Sequence, residues 1–224
     1  MEDYSKRIND LCTLTPSKGE LLKLSEEQLL HSSEVIEEDP EYNLELVAGV
    51  DVSYNCNLAF SCAVVVNEEL ELIESSCAQT LVSFPYVSGY LSYRESKPAI
   101  AAIKKLSYFD VLMVNGHGLA HPRGYGLASQ MGVELKKPTI GVARRLMIGE
   151  PQDPKALETP IIYRGRTIGA KITSPHGAPV YVSVGHMITL DTSIRLVKEY
   201  TLEGRLPEPL KLAHGLSRTI MSEY

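Results

Sequence analysis

The chain has 224 residues, of which 44% are hydrophobic and 22% charged, and its formal net charge is −6. These values fit one globular domain, residues 1–224, with a full apolar core, and they argue against a second domain. Neither a leader of basic, apolar and small residues at Met1 nor an apolar run of roughly 18 residues is found, so we expect a cytoplasmic protein without membrane insertion.

The four cysteines give no sign of a metal site. Cys12, Cys56, Cys62 and Cys77 form no CxxC pair, and none has a histidine at zinc-finger spacing. A disulfide framework is not expected in a chain of this length without an export signal. We therefore predict free thiols.

The first half of the chain alternates between a polar helix and apolar strands. Leucines among lysines and glutamates predict an amphipathic helix over residues 17–32, followed by a polar connection at 34–43. A buried strand over 44–53 and strands over 61–66 and 70–80 form a meander of hairpins.

The second half alternates between strands and helices. Ser96 as a cap, with Pro98 behind it, predicts a helix from Ser96 to Leu106. The later elements are strand 110–115, helix 125–136, strand 138–143, strands near 160–173 and 179–184, and helices near 190–202 and 208–222. Three antiparallel strands followed by β-α-β units predict an α/β fold, a mixed sheet flanked by helices.

Charge is uneven along the chain. Between Arg94 and Lys171 there are 13 basic and six acidic residues, although the whole chain is acidic. A basic face on an acidic protein is compatible with phosphate binding, and solvated helix faces explain such a stretch equally well.

Two polar residues at apolar strands indicate a site for a hard cation. An unpaired carboxylate at Asp51, inside an apolar strand, would cost several kcal/mol or be forced to protonate. Mg²⁺, which takes oxygen ligands, would offset that cost, and pairing with backbone amides, Arg or Lys is the alternative. Asn115 ends the apolar run 111–114, at the edge where open α/β sheets bind ligands. An acid is expected at that position, but the asparagine is uncharged.

An aromatic loop precedes the third candidate ligand. Glu95 follows Arg94 at the start of a helix, where a lone glutamate more often compensates the helix dipole than binds metal. The run 84–95, FPYVSGYLSYRE, is punctuated by proline and glycine and suits base stacking and phosphate contact.

Four motifs resemble endonuclease V: VDVSY at 50–54, the loop 85–95, NGHGLAHPR at 115–123 and GVAR at 141–144. They occur in the family's order from about Leu46 to His214. The resemblance implies a ribonuclease H-like fold, three antiparallel strands and then parallel strands, and a monomer. It also implies hydrolysis of the second phosphodiester bond 3′ to deoxyinosine, which leaves a 5′-phosphate. The implied cofactor is Mg²⁺, for which Mn²⁺ substitutes. The implied partner is DNA containing deoxyinosine, with inosine RNA as an alternative.

The resemblance also assigns residues. Asp51, Glu95 and Asn115 match metal ligands, although the family has aspartate at the last position. Arg144 replaces a lysine near the phosphate, and His214 matches a histidine beside the metal, which completes the implied catalytic set. The implied substrate-binding residues are the strand-separating wedge Pro85, Tyr86, Val87 and Ser88, the base pocket Gly89, Leu91, Gly116 and His121, and Arg94.

The uncharged Asn115 leaves three explanations open: a deliberate substitution that traps substrate, a natural divergence toward binding, or a tolerated ligand in an active enzyme. Loss of one charge lowers Mg²⁺ affinity and catalysis, so the chain is expected to be a weakened enzyme or, alternatively, a catalytically impaired inosine- or nucleic-acid-binding homologue. An actin-like ATPase, which shares the core fold, is disfavoured because Asp51 is not followed by a glycine turn. His117 is expected to shape its turn, and His186 is left outside the site because Val184 and Met187 depart from the family pattern.

Overall fold

The structure, a computed structural model, describes residues 15–173 and 177–224. The thiol predicted at Cys12 therefore lies outside the described residues.

One mixed sheet organises the part of the chain that is described. Its nine strands are ordered β3-β2-β1-β4-β5-β9-β8-β7-β6. The strands are β1 Val47–Asn55, β2 Leu58–Val66, β3 Leu72–Leu81, β4 Val111–Val114, β5 Thr139–Ala143, β6 Glu150–Pro151, β7 Glu158–Tyr163, β8 Arg166–Ile172 and β9 Val180–His186. Only β1–β4 and β4–β5 are parallel among these pairs. The predicted fold class, three antiparallel strands leading into parallel ones, is confirmed.

Helices cover both faces of the sheet. They are α1 Lys18–His31, α2 Leu91–Ile103, α3 Leu127–Leu135, α4 Leu190–Glu199 and α5 Glu208–Ser222, with a short 3₁₀ turn at Ser32–Glu34. Successive strand residues point to opposite faces, so Val47 packs in the core with α4 and α5, whereas Ala48 packs in the core with α2 and α3. Asp51 lies on the α5 side, two residues beyond Gly49.

Two element predictions were wrong in detail. Helix α2 begins at Leu91, not at a cap on Ser96, because Leu91 already packs against the apolar core and Ser96 is itself buried. The segment predicted as one strand over 160–173 is the hairpin β7–β8. Its turn contains Arg164 and Gly165, both with positive φ, at 50° and 78°. Two such residues favour a tight hairpin turn.

The prediction of free thiols was wrong for one pair. Cys62 and Cys77 are directly opposite each other on β2 and β3, with Cα atoms 4.2 Å apart, and form a disulfide. Cys56 is exposed and free. Sequence spacing did not reveal the pair, because the contact depends on the register of the hairpin.

Candidate active site

Two parallel strands bring Asp51 and Asn115 side by side. Val50 of β1 is in register with Val114 of β4, so the next residue of each strand emerges at the same sheet edge. Asn115 Nδ2 donates a hydrogen bond to Asp51 Oδ1 at 2.8 Å. An ionised carboxylate only accepts hydrogen bonds, so the amide nitrogen, rather than its oxygen, faces Asp51.

Helix α5 supplies the partners of the other Asp51 oxygen. His214 Nδ1 lies 2.7 Å from Asp51 Oδ2. Ser217, three residues later on the same helix face, donates to Oδ2 at 3.4 Å and lies 2.8 Å from the hydroxyl of Ser53. Asp51 is only 7% exposed, and these groups offset the cost of burying its carboxylate. Ser217 was not anticipated, although its i, i+3 spacing from His214 is a usable signal.

A glycine determines how closely α5 approaches β1. A Cβ atom on Gly49 would lie 2.4 Å from the backbone carbon of Pro209, in the first turn of α5. Only a residue without a side chain fits there. The packing of α5 on Gly49 therefore brings His214 within hydrogen-bonding distance of Asp51.

Glu95 lies on α2, close enough to interact electrostatically with Asp51. Burial raises the pKa of Glu95 to about 7; the Asp51 charge adds to this rise, while the Tyr54 hydroxyl and Arg94 oppose it. The guanidinium of Arg94 stacks over the Tyr54 ring at 4.2 Å. Tyr54 is a member of the site that the sequence did not identify. Among residues 15–173 and 177–224, no three His, Cys, Asp or Glu side chains form a group that could hold a metal ion.

The predicted wedge is an exposed loop between β3 and α2. Tyr86 at its tip is 71% exposed, with Pro85 and Val87 half-buried and Ser88 exposed beside it. The loop closes with a turn in which Tyr90 N–H donates to Val87 O at 2.9 Å and Gly89 has a φ of 81°. Arg94, predicted to contact phosphate, donates to the carbonyl of Phe84 at 2.7 Å and so anchors the loop.

A narrow crevice of about 20 Å³ lies beneath this loop. Three residues predicted for the base pocket, Gly89, Leu91 and His121, line it. The other lining residues are Gln28, Ser92, His117, Gly126, Leu127 and Met147. The fourth predicted residue, Gly116, is buried against Leu127 and is not part of this lining.

A hydrogen-bond network fixes the crevice wall at Gly89. Arg123 N–H donates to His121 Nδ1 at 3.3 Å, so His121 Nε2 carries the proton and donates to Gly89 O at 3.0 Å. The Arg123 guanidinium also donates to Gly89 O, and to Gln28 Oε1 at 2.6 Å. Burial, reinforced by Arg123, lowers the pKa of His121 to about 4, so its ring is neutral. Nothing in the sequence distinguished Gln28 from the other polar residues of α1.

Arg144 and His186 lie apart from this network. Arg144 follows β5 and is exposed, and its carbonyl accepts a hydrogen bond from Arg205. His186 is buried, and its Nδ1 accepts from the backbone N–H of Ile36 at 3.3 Å. This contact holds the polar connection after α1 against β9. Every helix in the described ranges is too short or too polar to span a lipid bilayer.

Known proteins share both the sequence and the fold. The family model for endonuclease V matches residues 28–215. The endonuclease V of Thermofilum pendens is 43% identical over 205 residues, 89% of this chain and 88% of the relative. That of Methanopyrus kandleri is 41% identical over 185 residues, 80% of each.

Solved structures agree with this relationship. Ciona intestinalis endonuclease V, crystallised with DNA containing an inosine followed by a ribo-adenosine, has a TM-score of 0.83 at 28% identity and covers 92% of this chain and 99% of its own. The Streptomyces avermitilis enzyme has a TM-score of 0.81 at 32% identity, covering 93% and 95%. The chain therefore belongs to the endonuclease V family.

Proposed function

We propose that this chain is a DNA repair endonuclease that hydrolyses the second phosphodiester bond 3′ to deoxyinosine, with Mg²⁺, leaving a 5′-phosphate. The observation that carries the proposal is the meeting of Asp51, Asn115 and His214 at one sheet edge, within electrostatic reach of Glu95. Family membership supports the same reaction, and the Ciona relative was crystallised with inosine-containing DNA.

The donor atoms at this edge suit a hard cation. Asp51 and Glu95 offer carboxylate oxygens and Asn115 offers an amide oxygen, the ligand types that Mg²⁺ and Mn²⁺ accept. The side-chain amide of Asn115 has to rotate by about half a turn before its oxygen can bind a cation, because its nitrogen faces Asp51. When bound, the metal would polarise the scissile phosphate and lower the pKa of a bound water.

The other residues bind and orient the substrate. Arg144, exposed at the end of β5, is available for a phosphate oxygen. Tyr86, at the exposed loop tip, would stack in the gap left by the displaced base, which enters the crevice between Gly89 and His121. His214, held on Asp51 through Nδ1, keeps Nε2 for a proton at the reacting phosphate.

A second candidate function is inosine binding without efficient cleavage. The Asn115–Asp51 hydrogen bond favours it, because this contact satisfies Asp51 without a cation and removes one negative charge from the ligand set. Recognition through the loop and the crevice would be unaffected by this change.

The test is cleavage of an end-labelled duplex with a single inosine, in Mg²⁺ and separately in Mn²⁺. We expect one cut at the second bond on the 3′ side, with a 5′-phosphate end, and no cut in the matched adenosine duplex or with the Asp51→Asn variant. A cut directly beside the inosine, or release of the base, would overturn the proposal. Selective binding of the inosine duplex without any cut supports the second candidate function. The same assay with an RNA that contains inosine shows which nucleic acid the chain prefers.

A further inference from the structure

The Cys62–Cys77 disulfide lies in one row with Asp51 across three strands. Cys62 of β2 is directly opposite Asp51 of β1 on one side and directly opposite Cys77 of β3 on the other. Directly opposite residues of antiparallel strands point to the same face of a sheet, and the Asp51 carboxylate faces His214 of α5. The disulfide therefore lies on the α5 face, one strand away from the Asp51 carboxylate.

This row opens to solvent at Cys77. Cys62 is fully buried, whereas Cys77 is half-buried on β3, which is the edge strand of the described sheet. Ser75 and Gln79, two positions away from Cys77 on either side, share its face and are exposed. A reductant in solution therefore reaches Cys77 before Cys62.

A cavity of about 370 Å³ lies beside the disulfide. Both cysteines line it, together with Phe60 of β2 and with Tyr224, which lies just beyond α5. The rings of Phe60 and Tyr224 are in contact, with centroids 5.4 Å apart, so Phe60 points toward the end of α5. Cys62, two residues after Phe60 on the same strand, points to the same side. The cavity therefore gives a thiol a path to the bond.

Lys105 places a positive charge beside Cys77. Its Nζ donates a hydrogen bond to the Cys77 carbonyl at 2.6 Å, and the residue also lines the cavity. An ammonium attracts thiolates and stabilises a cysteine as its thiolate, the form that attacks and leaves in thiol–disulfide exchange. Partial exposure, a cavity and a cationic neighbour are the conditions under which a disulfide exchanges in the folded protein.

We propose that Cys62–Cys77 is a reversible redox site, opened by a dithiol reductant, and that its state acts on Asp51 through the shared row. A thiolate of the reductant attacks Cys77 Sγ and forms a mixed disulfide. The bond between the two cysteines breaks, and its electron pair leaves on Cys62 Sγ, which takes a proton from the reductant. The second thiol of the reductant then displaces Cys77, so the dithiol becomes a disulfide and the chain gains two electrons and two protons.

The pairing of the strands explains how the redox state reaches Asp51. Reduction removes the covalent link between β3 and β2, and β2 pairs with β1 along Val47–Asn55. Because Cys62 is fully buried, its thiol has to repack within the row that contains Asp51. The contact between Asp51 and His214 should therefore differ between the oxidised and the reduced chain. This inference does not depend on the reaction that the chain catalyses.

The first test compares the rate of reduction by dithiothreitol in the folded chain and in the chain unfolded in urea. Alkylation and peptide mapping identify the thiols that form. We expect the folded chain to be reduced within about 100-fold of the unfolded rate, because the bond is reachable in the fold. A disulfide that opens only by global unfolding would be slowed by about 10³-fold or more. Slowing of that size would overturn the proposal.

The second test identifies the sulfur that is attacked. Glutathione, a monothiol, should be trapped on Cys77 and not on Cys62. Lys105→Gln should slow reduction by about 5-fold, because the charge beside Cys77 is lost. Lys104→Gln is the matched control, since Lys104 is exposed next to Lys105 but does not line the cavity. Trapping on Cys62, or equal rates in the two lysine variants, would overturn the assignment of Cys77 and Lys105.

The third test is NMR of the His214 ring in the oxidised and the reduced chain. Reduction should shift the His214 signals, and Cys77→Ser, which cannot form the bond, should show the reduced signals with or without dithiothreitol. Cys56→Ser is the control, because Cys56 is exposed and free and should leave the shift on reduction unchanged. Identical His214 signals before and after complete reduction would show that the redox site does not act on Asp51.

Discussion

Asn115 replaces a repulsion between carboxylates with a hydrogen bond. An aspartate in its place would put a second negative charge about 3 Å from Asp51, and only a cation or a proton would relieve it. The asparagine amide instead donates to Asp51, so the edge of the sheet is satisfied without metal. Under the proposed function, the residue that weakens the metal site also stabilises the metal-free protein.

This exchange has a consequence for stability. We expect Asn115→Asp to lower the free energy of unfolding by about 2 kcal/mol in EDTA, because one hydrogen bond is lost and two carboxylates face each other. Saturating Mg²⁺ should recover most of that loss. Thermal unfolding with and without Mg²⁺ measures both effects.

Asn43→Asp is the control for this substitution. Asn43 Nδ2 also donates to a carboxylate, Glu45 Oε1 at 3.0 Å, but at an exposed position. Replacement of Asn43 by aspartate should change the midpoint of thermal unfolding little, and the change should not depend on Mg²⁺. Equal effects of the two substitutions would show that the charge at residue 115 does not act on Asp51.

Glu95 gives the site a dependence on pH. Its pKa of about 7 is raised above the ordinary value of 4.5, so the protonated form is favoured in the folded protein. The contribution of protonated Glu95 to the stability of the folded protein is complete below about pH 4.5 and is lost as the pH rises through 7. Mg²⁺ needs the ionised carboxylate, so its affinity should increase over the range in which Glu95 loses its proton.

Calorimetry of Mg²⁺ binding tests this at pH 6 and pH 8. We expect tighter binding at pH 8. At pH 6 binding should release a proton from Glu95, so the measured heat should vary with the ionisation enthalpy of the buffer. Glu95→Gln should bind more weakly and lose most of the pH dependence. Affinity that is the same at both pH values in the unmodified chain would contradict the raised pKa.

The contact between β1 and α5 determines the position of His214. Gly49→Ala would force a Cβ into the backbone of Pro209, so α5 must shift. We expect a loss of about 3 kcal/mol in stability, on the order of other overpacked cores, and a changed His214 environment by NMR.

Gly215→Ala is the matched variant on the same helix. Nothing lies within 4 Å of a Cβ atom there, so helix propensity alone should make it more stable by about 1 kcal/mol. Loss of stability at Gly215, or none at Gly49, would show that this close approach does not determine the helix position.

Sequence patterns identified elements better than their boundaries. Alternation and apolar runs were sufficient to predict the meander, and β4 and β5 were placed within a residue or two. The start of α2 was missed because Ser96 and Pro98 resemble a helix beginning, yet tertiary packing extends the helix back to Leu91. The Cys62–Cys77 bond depends on cross-strand register, which residue spacing does not specify.

A chain with a net charge of −6 has to bind a polyanion through a local basic region. Nucleic-acid affinity should therefore fall with increasing salt, and Arg144→Ala should reduce the slope of log K against log salt by about one. Arg195→Ala is the control, because the exposed Arg195 side chain pairs with Glu199 on α4. Equal slopes for the Arg144 variant and the unmodified chain would exclude Arg144 from phosphate contact.

The site was predictable where motifs carry it and not where tertiary contacts create it. Asp51 and Asn115 could be paired in advance, because parallel strand ends meet at one edge. Gln28 could not, because its role depends on a contact between distant elements: Gln28 on α1 accepts a hydrogen bond from Arg123.

The most direct measurement is the initial rate of nicking of a single-inosine duplex in Mg²⁺ by this chain and by its Asn115→Asp variant. Intact-mass analysis should first confirm Asn115, since Asn-Gly steps deamidate to aspartate. The expected result is inosine-dependent cutting at the second 3′ bond by both proteins, faster for Asn115→Asp. No inosine-dependent cut by either protein, or equal rates from both, would contradict the assignment of an endonuclease whose metal site is weakened at residue 115.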